Sequence, residues 1–409
     1  MTKQTLCGSN RPVFGILSIA FLWLCGFASA ETYYVAMNGN DSNPGTIDAP
    51  QRTIQRAANL ASPGDTVIVR DGTYGHVNAV SGGDGSADNF SPVVLYRSGA
   101  PGAEITFKAE NKWGAILDCE MLCDSYFNLL NASYITIQDF VIKRGYNEAI
   151  HSNDTAHHIT LRGNRMEFIG NRIKTTDIGI VGLYTNPNCH DFVIDGNVFH
   201  DIGRTGGLPY PNHDHGLYLH GTNFLIINNI FYNLTQGWGI QMADGLSNVM
   251  IANNTFAFPN PRRDGHIVFW QNQSNITIRN NIFYNPQNNA IARFGSLVTG
   301  CAIDHNIVYG AYGVMADPSG CVVSNNRLGV DPQFVRATTA PYDFHLLPTS
   351  PAINAGADLV AVGTDFDGTP RPQGSAYGIG AFEFPRVPRS AETRRPGYRR
   401  RHRLSAPEL

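Results

Sequence analysis

Apolar and polar positions alternate in short bursts through the middle of the chain, and most bursts end on asparagine. The segments ITLRGNRMEF, FVIDGNVFHD, FLIINNIFYN, VMIANNTFAF, ITIRNNIFYN, CAIDHNIVYG and CVVSNNRLGV share this form. Their common Asn falls at Asn164, Asn197, Asn229, Asn254, Asn281, Asn306 and Asn326, and Phe140 takes the same place in YITIQDFVI. The intervals are 24, 33, 32, 25, 27, 25 and 20 residues. A second short apolar strand follows each anchor, as in AIHSN, GIVGLY, HGLYLHG, GIQMAD, HIVFWQN, AIARFG and GVMAD. Two or three short strands per repeat at this period predict a right-handed parallel β-helix, an all-β solenoid of about eight or more coils. One coil cannot bury its inward side chains alone, but coils stacked about 4.8 Å apart form a continuous core. The Asn is expected at the bend between strands, where it tolerates left-handed backbone and its amide bonds the Asn above and below. A propeller needs four strands per blade, and a leucine-rich repeat needs a leucine lattice that is absent.

Composition agrees. Among 409 residues there are 42 glycines and only five lysines against 25 arginines. Gly and Asn are poor helix formers, which argues against a helical bundle. The net charge of −3 conceals an asymmetry: residues 386–409 carry +6, residues 1–30 carry +2, and the body between carries −11. Residues 1–30 read as an export signal, with Lys3 and Arg11 ahead of an apolar run Val13–Phe27 and a small-residue site at Ala28-Ser29-Ala30. The mature protein is therefore expected to be secreted, with no transmembrane segment, as a monomer. Its five cysteines are too few for a disulfide scaffold and read as small buried hydrophobes. Cys301 and Cys321 differ: each lies five residues before its Asn, so stacking brings their Cα atoms about 5 Å apart, as a disulfide or a thiol pair.

The start, YYVAMNGNDSNPGTIDAPQRTIQRAANLASPGDTVIVRDGTY, resembles the opening of secreted right-handed β-helix proteins of the pectate-lyase-like superfamily, especially family 9 polysaccharide lyases. Thr53–Ala61 has the spacing of a short amphipathic helix that would cap the open end of the solenoid. DPQF, DFHLLPTSPAINAG, TDFDGTPRP and IGAFEF also match the close of such proteins. The expected organisation is a signal peptide (1–30), the capped β-helix (31–330), a closing segment packed on the last coils (331–385) and a disordered basic tail (386–409). The resemblance speaks to fold; the fold hosts lyases, hydrolases, epimerases and binding proteins alike.

Chemistry is expected on an outer face beside the two longest coils, where Gly170–Asp177 and Gly203–Asp214 are inserted. Aligning the second strands on Ile150, Ile180, Leu217, Ile240, Ile267 and Ile291 puts Asn147, Asp177, Asp214, Gly237, Asp264 and Asn288 in one polar column. The carboxylates Asp177, Asp214 and Asp264 offer oxygen ligands for Ca²⁺. His213, Asp214, His215, Tyr218 and His220 form the densest cluster, with Arg263 and His266 from two coils on and Lys174 from one coil back. Acid and base roles fall to His213, His215, Tyr218 and Lys174, and Arg263 neutralises charge. His151, His220, Gln241, His266, Trp238 and Trp270 are the expected substrate contacts.

These types suit cleavage of a uronate-containing polymer by β-elimination: a cation offsets the carboxylate, a base takes the C5 proton, and an acid protonates the leaving oxygen. The expected partner is an acidic polysaccharide, and the −11 body argues against nucleic acid. Two alternatives remain open: a glycoside hydrolase using Asp177 and Asp214, or a C5-epimerase, on the same fold; and a non-catalytic solenoid that binds polysaccharide or the cell surface.

Overall fold

The computed structural model describes residues 29–385, except 77–79, 82–89, 154, 171–178, 205–212 and 296. Residues 1–28 of the expected leader, the expected basic tail, Lys174 and Asp177 lie outside the described residues. Among the described residues, three parallel sheets of twelve, ten and nine strands run the length of the molecule. Each coil contributes one strand to each sheet. Thus Ser133–Gln138, His157–Arg162, His190–Asp195 and Thr222–Ile227 are neighbours in the first sheet. Val141–Lys143, Arg165–Glu167, Val198–His200 and Ile230–Leu234 are neighbours in the second. Glu148–Ser152, Val181–Thr185, His215–Leu219 and Ile240–Met242 follow in the third. The chain is a parallel β-helix, as its periodicity predicts.

The interior is built of ladders. Phe199, Phe231, Phe256 and Phe283 stack at 4.9, 4.8 and 5.1 Å, close to the rise of one coil. Beside them runs a column of small residues on the third sheet: Ala149, Gly182, Gly216, Gly239. A Cβ on Gly182 would come within 2.8 Å of Phe199, and one on Gly216 within 3.0 Å of Phe231, so the rings occupy the space that these glycines leave. The helix Ile54–Leu60 covers the first coil with Ile54, Ala57 and Ala58 buried, and Thr53 caps it by accepting from the Arg56 N–H at 3.1 Å.

The Asn ladder forms as the repeat requires. Asn229 donates from both its backbone N–H and its Nδ2 to Asn254 Oδ1 (2.8 and 3.0 Å), and Asn254 does the same to Asn281 (2.9 and 3.0 Å). Phe140 starts the stack by donating its N–H to Asn164 Oδ1. One detail differs from the sequence reading. The left-handed residue is the one before the ladder: Asp139, Gly163, Gly196, Asn228, Asn253, Asn280, His305 and Asn325 all have φ between 54 and 66°. The bend is made there, which leaves the next Asn free to point inward and bond.

Cys301 and Cys321 are register partners and form a disulfide. Cys119 and Cys123 form a second one, which corrects the reading of these two as plain hydrophobes. They bridge a local turn through Glu120 and Met121, both left-handed, so no stacking pattern announces them. Cys189 is buried against the Ser152 carbonyl.

Residues 331–385 lie along the outer face of the second sheet. Val198, Ile230, Ala257, Ile282 and Ile307 point outward from five successive coils and are buried by Phe334, Phe344, Leu346, Ile379 and Phe382. Among the described residues no helix is long and apolar enough to cross a membrane.

Candidate functional site

With the second sheet covered, the third sheet leaves a polar outer face. Its register sets Ile150, Leu183, Leu217, Ile240, Ile267, Ile291 and Met315 side by side. The sequence alignment used Ile180 in place of Leu183 and was therefore three residues out in one coil. The outward column is His151, Tyr184, Tyr218, Gln241, Val268 and Ala292. Tyr184 was missed because the insertion at 171–178 displaces the match.

The upper half of this face is a continuous run of rings. His151 stacks on Tyr184 at 5.3 Å, Tyr184 meets Tyr218 edge-on at 5.6 Å, and Tyr218 lies 5.0 Å from His220. Burial pushes the Tyr184 hydroxyl up to about 12 and raises that of Tyr218 also, where a hydrogen bond from Gln241 acts the other way. Both phenols therefore hold their protons at neutral pH. Burial pulls His220 below the ordinary imidazole value, with Asp244 opposing, so this ring is neutral there. His151 differs. Burial disfavours its charge, but Glu148 at 2.5 Å, with Asn153 and Asp124 behind it, prevails and lifts the ring to about 9. Neither Glu148 nor Asp124 was singled out in the sequence; Glu148 is recognisable only once its register with Val181 and His215 is known.

The lower half of the face is a cleft of about 310 Å³ lined by Arg262, Arg263, Asp264, Arg293, Phe294 and Asp317. Arg262 and Arg263 are exposed, and Arg263 lies over the Phe294 ring at 5.9 Å. Arg293 donates to the Ser319 carbonyl at 2.6 Å and faces Asp317 at 3.5 Å. Trp270 is 41% exposed at the rim and packs on Phe294.

The structure removes several expected residues from direct chemistry. Trp238 is only 4% exposed; it fills the outer face over Val268 and Ala292, and its indole N–H donates to the Asp264 carbonyl at 2.7 Å. It is a wall between the two halves, not a platform for a sugar. His266 occupies the small-residue column, facing inward between Phe256 and Phe283, and burial drops it to about 3. His215 is likewise buried, stacked on Trp238. Its Nδ1 accepts from the Trp238 N–H at 3.1 Å, and burial, aided by His213 and Arg204, drops it to about 3. It packs beside Tyr218 at 5.7 Å, neutral and shut off from solvent. His213 is exposed just ahead of the strand, and Gln241 is nearly buried beneath Tyr218.

The acidic column also changes. Its true members are Asn147, Ile180, Asp214, Gly237, Asp264 and Asn288, since Ile180 pairs with Asp214. Asp214 is fully buried: its oxygens take the Arg204 guanidinium at 3.1 Å and the N–H groups of Ile180 and Arg204 at 3.1 and 2.8 Å. Asp264 accepts from Asn288 at 2.5 Å. A Ca²⁺ ion needs several open oxygens. Among the described residues this column does not supply them, and Asp214 is equally unable to serve a hydrolase as one of two active carboxylates.

Residues 33–289 match the family described as Pel9A-like, right-handed β-helix region. The uncharacterized protein YwoF of Bacillus subtilis is 26% identical over 160 residues, which cover 36% of this chain and 30% of that protein. Pectate lyase PEL9 of Emericella nidulans is 31% identical over 117 residues, 29% of this chain and 24% of the enzyme. The chain thus spans under a third of the length of these curated relatives. The crystal structure of pectate lyase Pel9A superposes with a TM-score of 0.53 at 17% identity, covering 88% of this chain and 97% of that one. The solenoid, its right-handed coil and the matched 257 residues together assign the chain to the Pel9A-like right-handed β-helix family.

Proposed function

We propose that the protein is an exported polysaccharide lyase that cleaves a uronate-containing polymer by β-elimination on the third-sheet face. The observation that carries this reading is that one open face joins a neutral imidazole beside a protonated phenol, His220 and Tyr218, to an arginine-lined cleft. The arginines bind carboxylates of the polymer and hold it in register along the face, so that the C5 proton of one uronate lies before His220. His220 takes that proton, and Tyr218 delivers its own to the departing glycosidic oxygen. His213, exposed at the mouth, is the second base candidate. His151, held charged by Glu148, fixes Tyr184 and through it Tyr218. From His151 to Ala292 the column spans five coil steps, roughly 24 Å, a length suited to an extended polymer. Two disulfides and the leader accord with export.

The test is to incubate the full-length protein with pectate, alginate and glycosaminoglycans, with and without Ca²⁺, reading ultraviolet absorbance and reducing ends together. Elimination raises both, and hydrolysis raises reducing ends alone. His220→Ala and Tyr218→Phe should each lower kcat about 100-fold or more. Full activity in both variants would overturn the assignment, and reducing ends without absorbance would replace lyase with hydrolase.

A further inference from the structure

A second cluster of titratable side chains lies on a different face. His157 and His190 are register partners in adjacent strands of the first sheet, and their rings are parallel at 4.7 Å. The residue after each has left-handed backbone, His158 at φ 54° and Asp191 at φ 59°. That bend swings His158 and Asp191 to the same side as the ring pair. Nδ1 of His157 and Nδ1 of His158 are 2.8 Å apart, a distance at which two imidazole nitrogens share one proton or one metal. Ligand atoms of His157, His158 and His190 all fall within 4.8 Å of one another. An Asp191 oxygen is 2.6 Å from His190 Nδ1 and 3.7 Å from His158 Nδ1. Tyr134 stacks on His158 at 4.5 Å and fixes its orientation.

The same left-handed position in the following coils holds Asn223, Asn248 and Asn275. Asparagine is the residue this backbone favours. Tyr134, His158 and Asp191 depart from that rule in three successive coils, and all three belong to this cluster. No fold requirement explains three imidazoles and a carboxylate meeting on an accessible surface, where protonating the rings sets like charges together.

We propose that His157, His158 and His190, with Asp191, form a binding site for a borderline divalent transition-metal ion such as Zn²⁺. Nitrogen donors bind Zn²⁺ at about 2.0–2.1 Å, which places two ligands of a tetrahedral ion about 3.3 Å apart. The present separations bracket that value, so small side-chain rotations close the site. Imidazole donors select Zn²⁺, Cu²⁺ or Ni²⁺ over Ca²⁺, which takes oxygen. The ion would staple His157–Arg162 to His190–Asp195, two adjacent coils, on the sheet away from the polymer face. Its effect is therefore on the solenoid's stability, and it does not depend on the lyase reading.

The full-length protein, stripped with chelator and desalted, should bind one Zn²⁺ in a calorimetric titration, and its Tm should rise when ZnCl₂ is added. Co²⁺ in place of Zn²⁺ should give visible d–d absorption of nitrogen coordination. His158→Asn places at this position the residue that the later coils carry at Asn223, Asn248 and Asn275, and keeps the fold. It should weaken Zn²⁺ binding at least tenfold and abolish the Tm rise, while leaving the metal-free Tm unchanged. Asp191→Asn should weaken binding about tenfold, as loss of an orienting carboxylate does. His345→Ala, at a distant surface histidine, should leave binding intact. Absence of stoichiometric binding would overturn the site, as would binding that survives the His158→Asn/His190→Ala double variant.

Discussion

The second and third sheets are built from the same coils, at the same rise, around the same core, and they meet solvent in opposite ways. On the second, the outward residues include Val198, Ile230, Ile282 and Ile307 in one column and Ala257 in the next, and residues 331–385 cover them. On the third, the corresponding column reads His151, Tyr184, Tyr218 and Gln241, and no described segment lies over it. A solenoid gives every coil equivalent outer positions, so the identity of the outward column decides which face is packed and which is left for a ligand. An apolar column is worth about 25 cal/mol per Å² once covered; a ring-rich polar column gains little from covering and keeps its donors for a partner.

The largest expected effect tests the covered face. Arg371 is fully buried in the closing segment, paired with Glu383 at 2.9 Å and donating to Asn228 and the Gly380 carbonyl at 3.2 and 2.9 Å. Arg371→Ala strands the Glu383 carboxylate beneath the aromatic cluster. It should cost about 3–5 kcal/mol in urea unfolding. A loss under about 1 kcal/mol would mean that the segment rests on the sheet loosely and that the contrast between the faces is overstated.

A middle-sized effect tests the open face through pH. The folded pKa of His151, about 9, lies above the ordinary 6.5 of an unfolded histidine. Its contribution is therefore complete below about pH 6.5 and is lost as pH rises through 9. The pair is largely shielded, with side chains 15 and 12% exposed, so a contribution on the order of 1–3 kcal/mol is expected. Tm measured at pH 6 and pH 9.5 should fall more in the native chain than in Glu148→Gln. Equal falls in both proteins would show that the histidine carries no special charge.

The fold was readable because its determinants are local and repeated: an Asn just after most bends, alternation on each strand, and a stackable cysteine pair. The site was readable only in part, and the failures have different causes. Placing Ile180 where Leu183 belongs hid Tyr184 and assigned to Asp177 the column position that Ile180 holds. With the register corrected, Ala149, Gly182, Gly216 and Gly239 form a column of small residues, which marks an inward position, and His266 falls in line with them. The sequence thus held the signal that His266 faces the core, and it stands even with Ile180 in place of Leu183, because Gly179 then fills the place of Gly182. The burial of Asp214 was not readable at all, since its partner Arg204 lies ten residues back in the chain and outside the strand pattern. Trp238 is a similar case: what covers an outward tryptophan depends on Phe294, two coils away.

The smallest effect on stability separates the cleft from the ring column. Arg263 is exposed and rests on Phe294 at 5.9 Å, so Arg263→Ala should change the unfolding free energy by no more than about 0.5 kcal/mol. If the cleft anchors the polymer equally in ground and transition states, the variant raises KM about tenfold and leaves kcat in place. Added salt should then narrow the gap between native and variant protein, because an exposed guanidinium–carboxylate contact is screened beyond about 10 Å at 0.1 M. A fall in kcat at constant KM would place Arg263 at the reacting sugar, and the two halves of the face would then act as one centre instead of an anchor and a proton-transfer pair.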